Sequence, residues 1–272
     1  MLTVSELYIY PIKSLAGIAV DTAAVTSRGL QYDRRLMLVD SNNRFFTQRE
    51  FPEMALLQPV IKNEGLYIYH KQNTVPPLCI PHLPAVNEMV TVRVWDDTCE
   101  GQLYDAAINE WFSKALRWPC RLVYMPDTTS RKVDKRYALN NEITSFTDGY
   151  PMLLIGRSSL DDLNTRLAVP IPMNRFRPNI VFTGGDPFLE DRLHQFSING
   201  IEFTGVKPSA RCVMTTINQD TISTSKEPLK TLATYRQKDN KILFGQNLVH
   251  KGDGVISIGD SIHVKTYQPA AI

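Results

Sequence analysis

Residues 195–206, QFSINGIEFTGV, alternate apolar and polar side chains on both sides of an Asn199-Gly200 pair. Period-two alternation predicts half-buried strands, and Asn-Gly tolerates the positive φ angles of a two-residue hairpin turn. The segment therefore reads as two antiparallel strands. Strand-like runs bounded by Gly, Asn or Asp lie on either side: NIVFTGG at 179–185, RCVMTTIN at 211–218, KILFGQNLV at 241–249 and GVISIGDSIHVK at 254–265. The second half thus reads as a sheet that closes on itself.

The first hundred residues repeat the pattern. Val4, Glu6 and Tyr8 oppose Leu7 and Ile9, and Val90, Val92 and Val94 oppose Thr91, Arg93 and Trp95. SerAsnAsn at 41–43 and AsnGluGly at 63–65 each separate two apolar runs, predicting hairpins. Ala107, Trp111, Phe112 and Leu116 fall at helical spacing on one face. A second helix is expected behind Ser158 and Ser159, with Asp161 and Asp162 completing a capping-box variant, and it ends before Pro170. The fold class is mixed, a β-rich α+β chain. The polar stretch from Asp127 to Lys135, within MPDTTSRKVDKRY, suits an exposed loop between halves.

At 272 residues the chain can bury a full core without staples. Thirty Lys and Arg against 28 Asp and Glu give a charge of +2, which excludes the basic stripe of a nonspecific nucleic-acid binder. No apolar run approaches the roughly 20 residues that span a bilayer. The N-terminus lacks the charged and apolar regions of a secretory signal, so a cytoplasmic location, away from membranes, is the expectation. Cys79, Cys99, Cys120 and Cys212 match no CxxC metal spacing, and each is judged alone.

Several short segments carry chemistry. YPIKS at 10–14 places Lys13 and Ser14 at a bend, either an anion cradle or a solvated turn. In YDRRLMLVD at 32–40, alternation sends Arg34 and Arg35 to opposite sides, and the inward one needs an anion: Asp33 or a ligand phosphate. Arg175 and Arg177 in NRFRPNIV stand two apart, either to grip phosphate or carboxylate or to pair with Asp161 or Asp162. Cys212 follows Lys207 and Arg211 where a turn enters a strand, and nearby positive charge favours thiolate; a buried inert thiol is the alternative. Nothing in the sequence brings His194 or His250 to it. Gly245 in LFGQN marks a bulge, a close backbone approach to a ligand, or packing.

These strings, with VWDD, SFTDGYPMLLI and EPLKTLATYR, occur in the order found in MOSC-domain proteins, and resemble the bacterial YcbX proteins and the mitochondrial amidoxime-reducing components over nearly the whole chain. The resemblance implies an N-terminal MOSC-type β-barrel domain over 1–122 and a MOSC-domain β-barrel with a few helices over 123–272, with molybdenum cofactor (Mo-molybdopterin) between them. By resemblance Cys212 is the molybdenum ligand and a catalytic residue. Lys13, Ser14, Arg34, Thr147, Arg177, Asn179, Ser209, Ala210, Arg211 and Asn247 contact the cofactor. Asp148 is the expected proton relay, given a tuned pKa. The implied activity is reduction of N-hydroxylated compounds, hydroxylaminopurines and amidoximes, to amines or amidines; a noncatalytic carrier of the cofactor or of sulfur is the alternative. Many YcbX proteins add a ferredoxin-like domain with four clustered cysteines, which this sequence does not contain. Electrons are therefore expected from a separate flavoprotein or ferredoxin-like partner.

Overall fold

The structure, a computed structural model, describes residues 1–272. Seven strands form its centre: β1 (Leu2–Ile9), β2 (Met152–Gly156), β3 (Ile180–Thr183), β4 (Leu193–Ile198), β5 (Ile201–Arg211), β6 (Lys241–Lys251) and β7 (Ser261–Tyr267). They pair in the order β2-β3-β1-β7-β4-β5-β6, and β6 pairs back to β2, closing a barrel. Closure leaves these seven strands without a free edge. Only β2 and β3 run parallel. Parallel neighbours need a crossover, which helix α2 (Arg157–Arg166) supplies; α1 (Ala106–Leu116) belongs to the first half.

The Asn199-Gly200 turn joins β4 to β5 as expected, with Ile198 opposite Ile201 and φ of 45° and 80° at the two turn residues. Inward-facing Val4, Leu7, Met152, Leu154, Phe182, Phe196, Phe203 and Leu248 fill the barrel. On β2 the alternate residues Leu153 and Ile155 face outward and are covered by Leu160 and Leu163 of α2. Burial on both faces explains why MLLI is continuously apolar. Each such side chain contributes about 1.5–3 kcal/mol on burial.

The first half holds an antiparallel sheet ordered Leu36–Val39, Arg121–Tyr124, Asp97–Leu103, Met89–Val94, and a three-stranded meander of Leu57–Lys62, Gly65–His70 and Leu78–Ile80. Helix α1 seals both through Ile108, Phe112 and Leu116, packed with Leu38, Leu122, Ile68 and Ile80. Its buried stripe is rotated from the expected one: Ala107 is exposed and Trp111 half-buried. Asp105 caps this helix, accepting from the Ile108 N–H at 3.1 Å. Helix α2 starts two residues earlier than a cap at Ser158 implied, with Gly156 before its first turn and no side-chain cap. Ser159 is instead buried and donates to Glu190.

The two halves interlock. The expected division after residue 122 falls inside the strand Arg121–Tyr124, and β1, the first strand of the sequence, lies in the barrel between β3 and β7. The stretch expected as an exposed loop is partly internal: Arg131 is buried and binds the carbonyls of Ser145 at 2.9 Å and Thr147 at 2.8 Å. Its charge is matched by Asp97 at 2.7 Å, which makes its burial tolerable. No helix is long and apolar enough to cross a membrane.

Candidate functional site

One side of the barrel gathers the segment after β1, the segments before β2 and β3, and the Lys207–Arg211 half of β5. Backbone bonds knit the rim loops together: Arg34 N–H to Tyr10 O at 2.7 Å, Lys13 N–H to Leu36 O at 2.8 Å, and Phe146 N–H to Arg34 O at 2.9 Å. Between them and the first-half sheet lies a cavity of about 280 Å³. All twelve residues singled out by resemblance line it: Lys13, Ser14, Arg34, Thr147, Asp148, Arg177, Asn179, Ser209, Ala210, Arg211, Cys212 and Asn247.

Local geometry explains how they converge. Between Gly205 and Lys207, β5 carries one extra residue relative to β6, and between Pro208 and Ala210, β6 carries the extra one near Gly245. Bulges re-aim side chains, and these two flank the cavity-lining segment Lys207–Arg211. Gly245, with φ 85°, serves the bulge and packing: a Cβ there would lie 2.8 Å from Ile155 Cγ1. Ser14, Arg34, Trp95 and Arg177 line the cavity with positive φ values of 68°, 49°, 57° and 55°. Left-handed backbone at non-glycine residues costs energy and concentrates at functional sites.

The lining is strongly cationic. Lys13, Arg34, Arg49, Arg175, Arg177, Lys207 and Arg211 face one acid, Asp148. Arg34 is matched by the buried Asp33 at 2.6 Å, the protein-side partner. Arg35 turns away to Tyr124, the Met125 carbonyl and Asp127. Arg175 donates to Thr215 O at 2.8 Å, and Asp162 pairs with Arg166, so the surface pairing considered for Arg175 and Arg177 is not formed. Arg177 lies over the Tyr10 ring, and its buried Nη2 has no hydrogen-bond partner. Burial pushes its pKa down to about 10. Arg211 donates to Ser209 Oγ at 2.9 Å and Phe176 O at 2.7 Å, leaving Nε without a partner. Unpartnered buried guanidinium N–H groups in a cationic cavity call for an anionic acceptor.

Asn179 is buried and largely committed to the scaffold: its amide oxygen accepts from Arg34 and the Leu153 N–H, and its nitrogen donates to Tyr8 O. Lys13 donates to Asp148 at 2.6 Å and to Phe146 O at 2.9 Å. Desolvation pushes the ammonium down to about 8, against the opposing pull of Asp148. Desolvation works to raise Asp148, but Lys13, the Trp95 indole N–H and Arg49 outweigh it and hold the carboxyl well below its ordinary range. Asp148 is thereby held ionised, and the proton of this pair sits on Lys13 Nζ.

Cys212 Sγ accepts from Arg49 Nε at 3.3 Å and Nη2 at 3.1 Å. All four cysteines are free, and Cys212 alone lines the cavity. Burial pushes Cys99 and Cys120 up to about 11, the pattern of inert thiols. Neither His194 nor His250 reaches the cavity, and no cluster of three or more His, Cys, Asp or Glu forms a metal cage. Sequence reasoning missed Arg49 and Trp95. The only signal for Trp95 was its place in VWDD, and Arg49 lies 163 positions from the sulfur it touches.

Fold and site define a closed β-barrel protein whose rim presents a thiol and unpartnered cations to an anionic ligand. The chain belongs to the MOSC family: residues 1–119 match the MOSC N-terminal beta barrel domain and residues 141–263 the MOSC domain. It is 32% identical to mitochondrial amidoxime-reducing component 1 of Mus musculus, over 96% of this chain and 82% of that protein. The Homo sapiens protein of that name is 31% identical over the same shares. Molybdenum cofactor sulfurase of Oryza sativa subsp. japonica is 34% identical over 88% of this chain, which spans 31% of that protein.

Proposed function

We propose that this protein binds the molybdenum cofactor in the rim cavity and reduces N-hydroxylated compounds, of the hydroxylaminopurine and amidoxime classes, with electrons from a separate redox protein. One observation carries the reading: a lone cavity thiol, Cys212, stands among buried guanidinium N–H groups, at Arg177 and Arg211, that lack acceptors. A terminal phosphate and a polar pterin would satisfy those donors, and a thiolate suits a metal already held by dithiolene sulfurs. The bound cofactor supplies two-electron oxygen-transfer chemistry, which no side chain here could perform.

In the net reaction the N–O bond breaks, oxygen leaves as water, and two electrons and two protons are consumed. Arg34, Arg177 and Arg211 would bind the anionic tail, and Cys212 would hold the metal. Lys13 Nζ keeps a proton transferable near neutrality, with Asp148 as its fixed acceptor partner. The aromatic rings of Phe45, Trp95 and Tyr150 line the same cavity.

The similarity to part of a cofactor sulfurase favours a second reading, in which the chain carries the cofactor without turnover. The test is turnover of 6-hydroxylaminopurine and benzamidoxime by cofactor-loaded protein, with dithionite-reduced methyl viologen as donor. Two electrons used per N–O bond cleaved supports the reductase. Full molybdenum loading without turnover supports the carrier.

A further inference from the structure

Arg49 enters the cavity from a turn in the first half and places two N–H groups on Cys212 Sγ, at 3.3 and 3.1 Å. No other side chain donates to that sulfur. The guanidinium lies over the Trp95 ring, 4.4 Å from its centroid. Trp95 is itself fixed: its indole N–H donates to Asp148 at 3.1 Å, and its ring packs edge-on against Phe45 at 4.8 Å. Asp148 is held in turn by Lys13 at 2.6 Å. A continuous chain, Cys212–Arg49–Trp95–Asp148–Lys13, thus crosses the cavity.

A free thiol on a short side chain samples several rotamers. A forked donor held against an aromatic face removes that freedom, because guanidinium geometry is rigid and its stack is directional. A metal-bound thiolate retains lone pairs that accept the same N–H bonds, and such donors tune a metal's electron density and retention. We infer that Arg49 is the positioning residue for Cys212: clamped by Trp95, it fixes the sulfur toward the cavity and stays hydrogen-bonded to it when the sulfur ligates the metal. The inference rests on the cofactor reading for its second half only.

Two readouts separate these halves. In crystal structures of cofactor-free protein, wild type should show one Cys212 rotamer with Sγ on Arg49, and Arg49→Gln should show Sγ spread over more than one. In protein loaded with cofactor, Arg49→Gln should keep its pterin content but shift the Mo(V) paramagnetic resonance spectrum, and hold molybdenum against a chelator roughly 10–100-fold less well. Arg49→Lys, which restores charge without the fork, should recover retention only in part. Trp95→Phe, which keeps a ring under the guanidinium, should stay nearer wild type than Trp95→Leu. An unchanged rotamer in the cofactor-free variant, or an unchanged Mo(V) spectrum in the loaded one, overturns the assignment. A wild type that takes up neither molybdenum nor pterin would sink the cofactor reading, while the rotamer comparison would still judge the role of Arg49.

Discussion

The Arg177 guanidinium rests on the ring of Tyr10, 4.2 Å from its centroid, with Nη2 buried and unpaired. Arg34 lies against the same ring at 4.4 Å, so one tyrosine supports two cations of the cavity. An unpaired buried cation destabilises the ligand-free fold. Arg177→Met is therefore expected to raise the melting temperature of cofactor-free protein. Because a charge-assisted contact is worth about 1.5–3 kcal/mol, the same change should weaken cofactor retention roughly 10–100-fold. Thermal scans and pterin assays on the two preparations check both signs; a lower melting temperature in the cofactor-free variant would contradict the account.

Tyr10→Phe isolates the support. It keeps the ring beneath both guanidiniums and removes the hydroxyl bond to Pro178 O at 3.0 Å. The expected loss is about 1 kcal/mol in denaturant unfolding, with cofactor content unchanged. A large drop in cofactor content would show that the hydroxyl, and not the ring, organises the cations.

Lys13 and Asp148 give a pH prediction. The pKa of Lys13 lies near 8, lowered by burial and partly restored by Asp148. If Lys13 Nζ gives the proton, turnover falls as pH rises through its pKa. Asp148→Asn removes the restoring charge, so the basic limb of the pH–rate profile should move to lower pH. A limb at the same pH in both proteins would exclude Lys13 as the proton source.

How far the sequence carried this site depends on what each residue's signal was. Cys212, Lys13, Arg34 and Arg177 sit in strings distinctive enough to align with a family, and all reach the cavity. Arg49 carries no local pattern and Trp95 only its place in VWDD; their roles exist only once the fold brings the halves together. The same holds for β1, whose alternation announces a strand but says nothing of partners at Ile180 or Ser261. Arg131 was misread because a charged run looks solvated, and only the fold shows the three carbonyls and one carboxylate it serves. Ser159 was misread as part of a cap because its buried acceptor, Glu190, lies 31 residues away.

Glu190 offers a stability test away from the cavity. It is fully buried, accepts from Ser159 Oγ at 2.7 Å, and has Oε1 unpartnered. Burial raises its pKa from 4.5 to about 7, so the folded protein binds this proton more tightly than the unfolded chain. The resulting penalty on folding is absent below pH 4.5, grows as pH rises toward 7, and is complete above it. Glu190→Gln keeps the shape and an acceptor for Ser159. It should stabilise the fold at pH 8 by roughly 2–3 kcal/mol, with the gain vanishing at pH 4. An equal effect at both pH values would show that the carboxyl is not held protonated by burial.

Cys212 is the sulfur on which the functional account turns. Molybdenum and pterin content, measured in wild type and Cys212→Ala purified from a host that makes the cofactor, tests it most directly. The account predicts near one molybdenum and one pterin per wild-type chain, with molybdenum lost or labile in the variant while pterin is largely retained through the cations. Equal molybdenum in both proteins, or none in a wild type from a host proven to supply it, would contradict it.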